Sequence, residues 1–116
     1  MGDNLLDDID DTIHAKARLG IMALLLSRGE QDFTALRRAL GLSDGNLGAH
    51  LRLLEEAGYV EAEKGFVNRK PRTTYRATEK GRQAFLAYVE GLERLLRLAG
   101  HGSPGGGEMP PTSGRL

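Results

Sequence analysis

Apolar residues recur at helical spacing in the first third of the chain. From Leu5 to Leu26 they predict a helix that is broken near Gly20 or irregular at its acidic start. The aspartates within residues 7–11 suit a first helical turn, where they complement the helix dipole. After a short polar link, a second and shorter helix is predicted over about residues 34–40.

A third helix is predicted directly afterwards, over residues 44–57. Gly41 is typical of the end of the preceding helix, and Ser43 is a good N-cap for the new one. Leucines at positions 47, 51 and 54, spaced four and three apart, form its core stripe. Two short helices joined by so tight a link form a helix-turn-helix unit.

The spacing of apolar residues changes after this helix. Residues 59–66 and 72–77 favour strands, and residues 68–71 have turn chemistry between them. Thr78 then caps a last helix that extends to about Ala99. The order helix, helix, helix, hairpin, helix predicts a mainly α winged helix-turn-helix fold, in which the small β-hairpin is the wing.

The chain has a compositional boundary near residue 100. Residues 100–116 are rich in Gly and Pro and contain only Met109 and Leu116 as large apolar residues. Such a segment buries too little surface to offset its ordering entropy, and it is predicted to be disordered. Residues 1–99 are therefore predicted to form one winged helix-turn-helix domain, followed by a tail.

Positive charge collects in the predicted wing, although the whole chain has 16 basic and 16 acidic residues. Residues 64–82 hold seven Lys or Arg and one acid, a local balance of +6, whereas residues 1–32 hold three bases and seven acids. A merely solubilising loop does not need six uncompensated charges. We therefore expect this hairpin to contact a polyanion.

Composition excludes several other functions. The chain has no cysteine, so disulfides, thiolate metal sites and cysteine nucleophiles are absent. Three histidines and no phosphate-binding loop after a strand favour neither an enzyme, a metal site nor a cofactor. The longest apolar run, residues 21–26, is too short to span a membrane, and the acidic N-terminus does not resemble a secretory signal. A cytoplasmic protein is the expectation.

The side of the third helix opposite its core stripe carries small and polar residues. Small residues let a helix backbone approach a phosphate ridge, although sequence drift or close packing on another helix explains them equally simply. Arg52 suits guanine or phosphate, with pairing to Glu55 or Glu56 as the alternative, and Asp44 suits either cytosine or the helix dipole. His50 is interpreted as a half-buried packing residue. The predicted DNA contacts are Ser43, Asp44, Gly45, Asn46, Gly48, Ala49 and Arg52.

Long cations at the tip of the hairpin are the second set of candidate DNA contacts. Hydroxyl groups on the return strand add donors for phosphate oxygens. Tyr75 is interpreted as a packing residue of this strand rather than a DNA ligand. The predicted wing contacts are Asn68, Arg69, Lys70, Arg72 and Thr73.

Two stretches of the chain, FTALRRALGLSDGNLGAHLRLLEEAGYVEAEK and RKPRTTYRATEKGRQAF, resemble the winged helix regulators of the ArsR and MarR type. The resemblance covers about residues 8–95. It implies a homodimeric DNA-binding transcriptional regulator, with the second helix of the motif in the major groove and the wing on the backbone or minor groove. Metal-sensing relatives use Cys pairs in the recognition helix or Asp and His sets in the last helix. Residues 79–99 lack His and the chain lacks Cys, so the metal-sensing role is not carried over.

The first and last helices have more apolar positions than one domain contact needs. A symmetric dimer would cover them, and packing of the two surfaces on each other within one chain is the alternative. A small-molecule effector is compatible with the seam of such a dimer, but the sequence does not name one. The predicted interface residues are Leu5, Ile9, Leu86, Val89 and Leu96.

These observations predict a homodimeric regulator of transcription, with repression as the expected effect, that binds duplex DNA through residues 44–57 and 64–76. The alternative is a winged helix module that uses its basic hairpin to bind an acidic protein partner. RNA binding is a third and weaker hypothesis.

Overall fold

The computed structural model describes residues 5–100, in which four helices surround one edge of a small antiparallel sheet. The predicted tail, apart from Gly100, lies outside the described residues. The element order confirms the predicted winged helix-turn-helix fold. In chain order the elements are α1 (Lys16–Arg28), β1 (Gln31–Asp32), α2 (Phe33–Leu40), α3 (Asp44–Glu56), β2 (Val60–Val67), β3 (Lys70–Ala77) and α4 (Glu79–Leu98).

The predicted helix from Leu5 to Leu26 is wrong in its first half, because residues 5–15 form turns and α1 begins only at Lys16. The Asp10 carboxylate accepts hydrogen bonds from the backbone N–H groups of Thr12 and Ile13, at 2.8 and 3.1 Å. Such local bonds offer the backbone an alternative to a helix. The acidic cluster therefore precedes the helix and does not form its first turn, and α1 continues through Gly20 without a break.

The helix-turn-helix unit is built by the local signals that predict it. The Asp32 carboxylate caps α2 by accepting from the backbone N–H of Ala35 at 2.7 Å, and Gly41 ends α2 in the left-handed conformation, with φ of 66°. The Ser43 hydroxyl then caps α3 by accepting from the N–H of Asn46 at 3.1 Å. Since each cap satisfies a backbone group that has no partner inside its helix, the two helices begin and end where the sequence predicts.

The sheet has the strand order β1-β3-β2, and β2 pairs with β3 over the full length of both strands. Residues Gln31 and Asp32 form the short β1, which pairs antiparallel with Tyr75 and Thr74 of β3. The outer half of the β2–β3 hairpin therefore extends past the end of β1. This free part is the wing.

One apolar core joins three helices to the base of the sheet. Its side chains come from the inward faces of α1, α2 and α3 and from the inner ends of β2 and β3, and Tyr75 is buried there as predicted. No polar or charged side chain among the described residues is buried. The buried residues of this core are Ile21, Met22, Leu25, Leu36, Leu47, Leu51, Leu54, Val60 and Tyr75.

Both ends of the hairpin are fastened at one junction between α3 and α4. The Thr78 hydroxyl donates to the carbonyl of Gly58 at 2.6 Å and accepts from the N–H of Gly81 at 2.9 Å, which caps α4. The N–H of Thr78 donates to the carbonyl of Tyr59 at 3.0 Å. Gly81 lies against that same carbonyl so closely that a Cβ at this position would be 2.2 Å from its oxygen. The junction sets where the wing leaves the helical body.

Replacing Gly81 with alanine is expected to lower the free energy of unfolding by about 2–3 kcal/mol, because the new Cβ meets backbone atoms that cannot rotate away. Urea unfolding of the purified protein measures this change. Gly48→Ala is the matched control, since no atom lies within 4 Å of a Cβ there, and it is expected to raise stability by up to about 1 kcal/mol. Equal stability of the two variants would contradict the close approach.

Candidate nucleic-acid interface

The outward side of α3 is smooth and open to solvent. Leu47, Leu51 and Leu54 are buried on the opposite side, which fixes the rotation of the helix. Nothing lies within 4 Å of a Cβ built at Gly45 or at Gly48. No contact inside the described part of the chain therefore requires glycine at either position. The predicted alternative, close packing on another helix of the same chain, is not observed.

Polar groups flank this smooth side. Arg52 is exposed and forms no ion pair with Glu55 or Glu56, which was the alternative interpretation. Asp44 is also exposed, and its carboxylate lies 3.1 Å from the guanidinium of Arg37 on α2. Asp44 thus joins the two helices of the motif while remaining at the start of α3. Ser43, Asn46 and Ala49 are exposed as well.

His50 on α3 points away from the smooth side and is half-buried, as interpreted from the sequence. Its Nδ1 lies 3.0 Å from a guanidinium nitrogen of Arg18, and the same guanidinium donates to the carbonyl of Thr12. This contact links the recognition helix to α1 and to the N-terminal turns. The sequence contained no signal for it, because the two residues are far apart in the chain.

The wing ends in a two-residue turn at Asn68 and Arg69. Both have positive φ, 52° and 67°, which is the conformation of the tight hairpin turn that matches the twist of paired strands. Asn tolerates this conformation, whereas for Arg it costs about 1 kcal/mol. A glycine at the second position would form the same turn with less strain. The turn therefore sacrifices some stability to hold a cation at its tip.

The cations of the wing region divide into two groups, which corrects the expectation of six uncompensated charges. Arg72 contacts Asp32 at 2.8 Å, Arg76 contacts Glu61 at 2.7 Å, and Arg82 contacts Glu79 at 2.9 Å. Within residues 5–100, Lys64, Arg69 and Lys70 form no ion pair. Among the described residues, unpaired positive charge thus lies at the turn of the wing, on Arg69 and Lys70, and farther down β2 on Lys64.

Asp32 couples the wing to the helix-turn-helix unit. One of its carboxylate oxygens caps α2 and the other accepts from Nε of Arg72 at 3.0 Å. The backbone hydrogen bond from Ala35, followed by the positive charge of Arg72, holds the pKa of Asp32 below its usual range. Arg72 was predicted to contact DNA, and the structure gives its guanidinium a second task, orienting β3 against the start of α2.

An open groove of about 620 Å³ separates the start of α2 from the outer part of β3. Arg38, Lys70 and Arg72 line it together with Thr34 and the half-buried Thr73. The cationic lining suits a phosphate backbone. Arg38 was missed from the sequence, and its only signal was its place beside Arg37 on the exposed side of a short helix.

The geometry of α3 and of the wing agrees with a comparison against known families. The winged helix DNA-binding domain family matches residues 17–96. The chain belongs to this family.

Relatives of this winged helix protein extend the comparison. An uncharacterized protein of Methanocaldococcus jannaschii is 42% identical over 78 residues, which are 67% of this chain and 85% of that protein. A transcriptional regulator homologue from Pyrococcus horikoshii OT3 has a similar structure, with a TM-score of 0.75 at 31% identity over 82% of this chain and 96% of that one. A protein assigned to the MarR family of transcriptional regulators from Enterococcus faecalis V583 gives a TM-score of 0.65 at 29% identity, covering 83% of both chains.

The predicted dimer residues of this winged helix protein do not all remain free. Ile9 is half-buried, and its Cδ1 would lie 3.2 Å from a Cβ at Gly91 of α4, so it packs within its own chain. Asp8 forms an ion pair with Arg94 of the same helix. Val89 is half-buried. The residues that keep exposed side chains are Leu5 at 62%, Leu86 at 46% and Leu96 at 53%.

Two further hydrogen bonds fasten the N-terminal turns to the winged helix body. The Tyr59 hydroxyl donates to the Asp10 carboxylate at 2.5 Å, and His14 Nδ1 lies 2.9 Å from the Tyr88 hydroxyl. Burial and the bond to Asp10 raise the pKa of Tyr59 to about 12.

Among residues 5–100, no helix has the length and apolar character needed to cross a bilayer, and no three His, Asp or Glu side chains are grouped as a metal site requires.

The salt dependence of duplex binding is expected to separate the two groups of wing cations. Lys70→Ala removes an unpaired charge and should reduce the slope of log affinity against log salt by about 0.9, because one fewer counterion is released. Arg76→Ala is the control on the same hairpin, and it should change the slope much less since its guanidinium is paired with Glu61. Anisotropy titrations with a random-sequence duplex at several salt concentrations measure both slopes. Equal reductions would contradict the division.

Proposed function

We propose that this chain is a DNA-binding transcriptional regulator that acts as a homodimer. Each protomer inserts α3 into the major groove of duplex DNA and sets its wing against the adjoining backbone and minor groove. The proposed contacts are those predicted from the sequence on α3 and on the wing, with Arg38 added from the groove beside them.

The pair of glycines on α3 carries the proposal. Glycine inside a helix lowers stability by about 1 kcal/mol relative to alanine. Neither Gly45 nor Gly48 has a neighbour that a methyl group would meet, so this loss brings no gain in the folding of the described chain. A surface that must approach another molecule closely gives it a reason. The floor and walls of a DNA groove are such a surface.

Charge supports duplex DNA as that molecule. Arg52 on α3 is exposed, and its guanidinium has no partner within residues 5–100, which suits it to the N7 and O6 atoms of guanine or to a phosphate. Lys64, Arg69 and Lys70 lie on the neighbouring wing and form no ion pair with any residue that the structure describes. Clustered unpaired cations gain free energy on a duplex through counterion release, whereas the paired arginines around them limit indiscriminate binding.

Exposed leucines support the homodimer. Leu86 and Leu96 lie on α4 and Leu5 lies in the N-terminal turns, and each remains largely exposed. Burial of one leucine side chain contributes about 1.5–3 kcal/mol, so a symmetric contact that covers several of them is strongly favoured. Two protomers related by a two-fold axis would set their α3 helices about 34 Å apart, one turn of DNA.

Repression is the proposed effect on transcription. A dimer that covers two half-sites excludes other proteins from the same DNA without any further contact. The proposed place of its action is the cytoplasm, beside the chromosome. A small-molecule effector at the dimer seam stays a prediction.

Selection from a pool of random duplexes tests the proposed function. Purified protein should enrich an inverted repeat with half-site centres about one helical turn apart, because a two-fold dimer reads the same sequence twice. Sequencing of the enriched pool gives the site, and competition with single-stranded and duplex RNA separates DNA from RNA binding. A pool that stays random after repeated rounds would contradict the proposed DNA-binding function and would favour an acidic protein partner.

Alanine at Gly45 or Gly48 is expected to separate stability from DNA binding. Each substitution should raise the free energy of unfolding by up to about 1 kcal/mol, yet weaken binding to the selected duplex by roughly tenfold, because a methyl group holds the backbone away from the groove. Thermal melts and anisotropy titrations measure the two effects. Ser27→Ala, on the exposed side of α1, is a control for binding because it also raises helix propensity away from α3. Unchanged affinity in both α3 variants would show that the smooth side is not a contact.

A further inference from the structure

Phe66 is the most exposed large apolar side chain among residues 5–100, with 74% of its surface open to solvent. It lies in the outer part of β2, two residues before the turn of the wing. Within the same residues it makes no aromatic contact. An aromatic side chain at the tip of a hairpin does not contribute to the core, so its position needs another explanation.

The register of the hairpin shows which face Phe66 occupies. Cross-strand partners share one face of a sheet, and successive pairs alternate between faces. Ala62 pairs with buried Tyr75, and Phe66 pairs with Pro71 four residues farther out, so both pairs lie on the same face. The apolar face that packs on the helices at the base of the wing thus reappears at its tip, where it is uncovered.

The backbone that carries the apolar pair of Phe66 and Pro71 is stiff. Val67 and Lys70 flank the two-residue turn. In an antiparallel ladder the next pair toward the base of the hairpin, here Phe66 and Pro71, makes no hydrogen bonds between its own two residues. Pro71 therefore occupies a position where its missing N–H breaks no bond to β2. Its ring fixes the backbone beside Phe66 and prevents a further strand from pairing at this edge.

Unpaired cations surround Phe66. Lys64 lies two residues earlier on the same face, and Arg69 and Lys70 lie at the turn beyond it, all three without ion pairs among the described residues. An apolar protein surface that covered Phe66 would bury these charges without partners, which is unfavourable. A DNA duplex meets both needs, because phosphates flank each groove and a base step offers apolar faces between its stacked bases.

We propose that the wing tip enters the minor groove and that Phe66 wedges against a base step, partly unstacking it and bending the duplex. This inference rests on the proposed function and adds a specificity-determining residue to it. Pyrimidine–purine steps such as TA and CA/TG unstack most easily, so the wing should favour them at a fixed distance from the half-site read by α3. Sequence preference would then arise at positions where the wing forms no hydrogen bond to a base.

The experiment compares Phe66→Ala with Val67→Ala on the duplex recovered by selection. Val67 is the matched control because it is apolar, partly exposed and next to Phe66, but lies on the opposite face of the hairpin. Energy transfer between dyes at the two duplex ends reports bending, and 2-aminopurine placed at the pyrimidine–purine step reports unstacking. Salt titrations report the number of phosphate contacts.

For the wild type and Val67→Ala we expect a bent duplex and a rise in 2-aminopurine fluorescence. Phe66→Ala should lose both signals and bind roughly tenfold more weakly, with an unchanged salt slope, because the substitution removes stacking but no charge. Phe66→Leu should keep part of the bend, since leucine also acts as a wedge.

Several outcomes would contradict the proposed wedging of Phe66 against a base step and would leave the proposed function intact. A wild type that binds the selected duplex without bending it, or a Phe66→Ala variant that keeps the full bend and fluorescence, would do so. So would Phe66-dependent binding to anionic phospholipid vesicles that leaves the DNA complex unaffected. Failure of the wild type to bind any duplex would instead defeat the proposed function itself.

Discussion

The close contact between the start of α4 and the backbone that enters the wing is the constraint on which the rest of the structure depends. Thr78 bonds to the backbone of Gly58 and Tyr59 and caps α4, and Gly81 packs against the Tyr59 carbonyl. Three elements, α3, the wing and α4, thus share one rigid junction. This explains in physical terms why the stretches AGY at 57–59 and T-x-x-G at 78–81 occur together in the chain.

The cations of the wing form two groups, one with ion pairs inside the protein and one without them among the described residues. Arg72 and Arg76 are held by carboxylates of the same protein, and the ion pair of Arg72 with Asp32 ties the hairpin to the cap of α2. Lys64, Arg69 and Lys70 on the same hairpin have no such partners among the described residues. A chain that is neutral as a whole therefore presents unpaired positive charge on its wing, and the paired charges stiffen the support behind it.

At three places the chain contains residues that lower its folding stability. Gly45 and Gly48 weaken α3, Arg69 strains the turn and Phe66 exposes an aromatic ring, and none of these choices improves packing within residues 5–100. Local features that conflict with folding are expected where function requires them. All of them lie on α3 or on the outer wing, the two elements of the proposed DNA interface.

The order of the helices and the hairpin, the signals at Gly41 and Ser43 and the place of the cationic cluster followed from the sequence alone, because spacing, capping and turn chemistry act over a few residues. Three properties were decided only by the tertiary structure: the turns that replace the first half of the predicted helix, the pairing of Arg72 with Asp32, and the exposure of Phe66. Each depends on partners that are present or missing at positions distant in the chain, and residue spacing contains no record of which distant groups fold together.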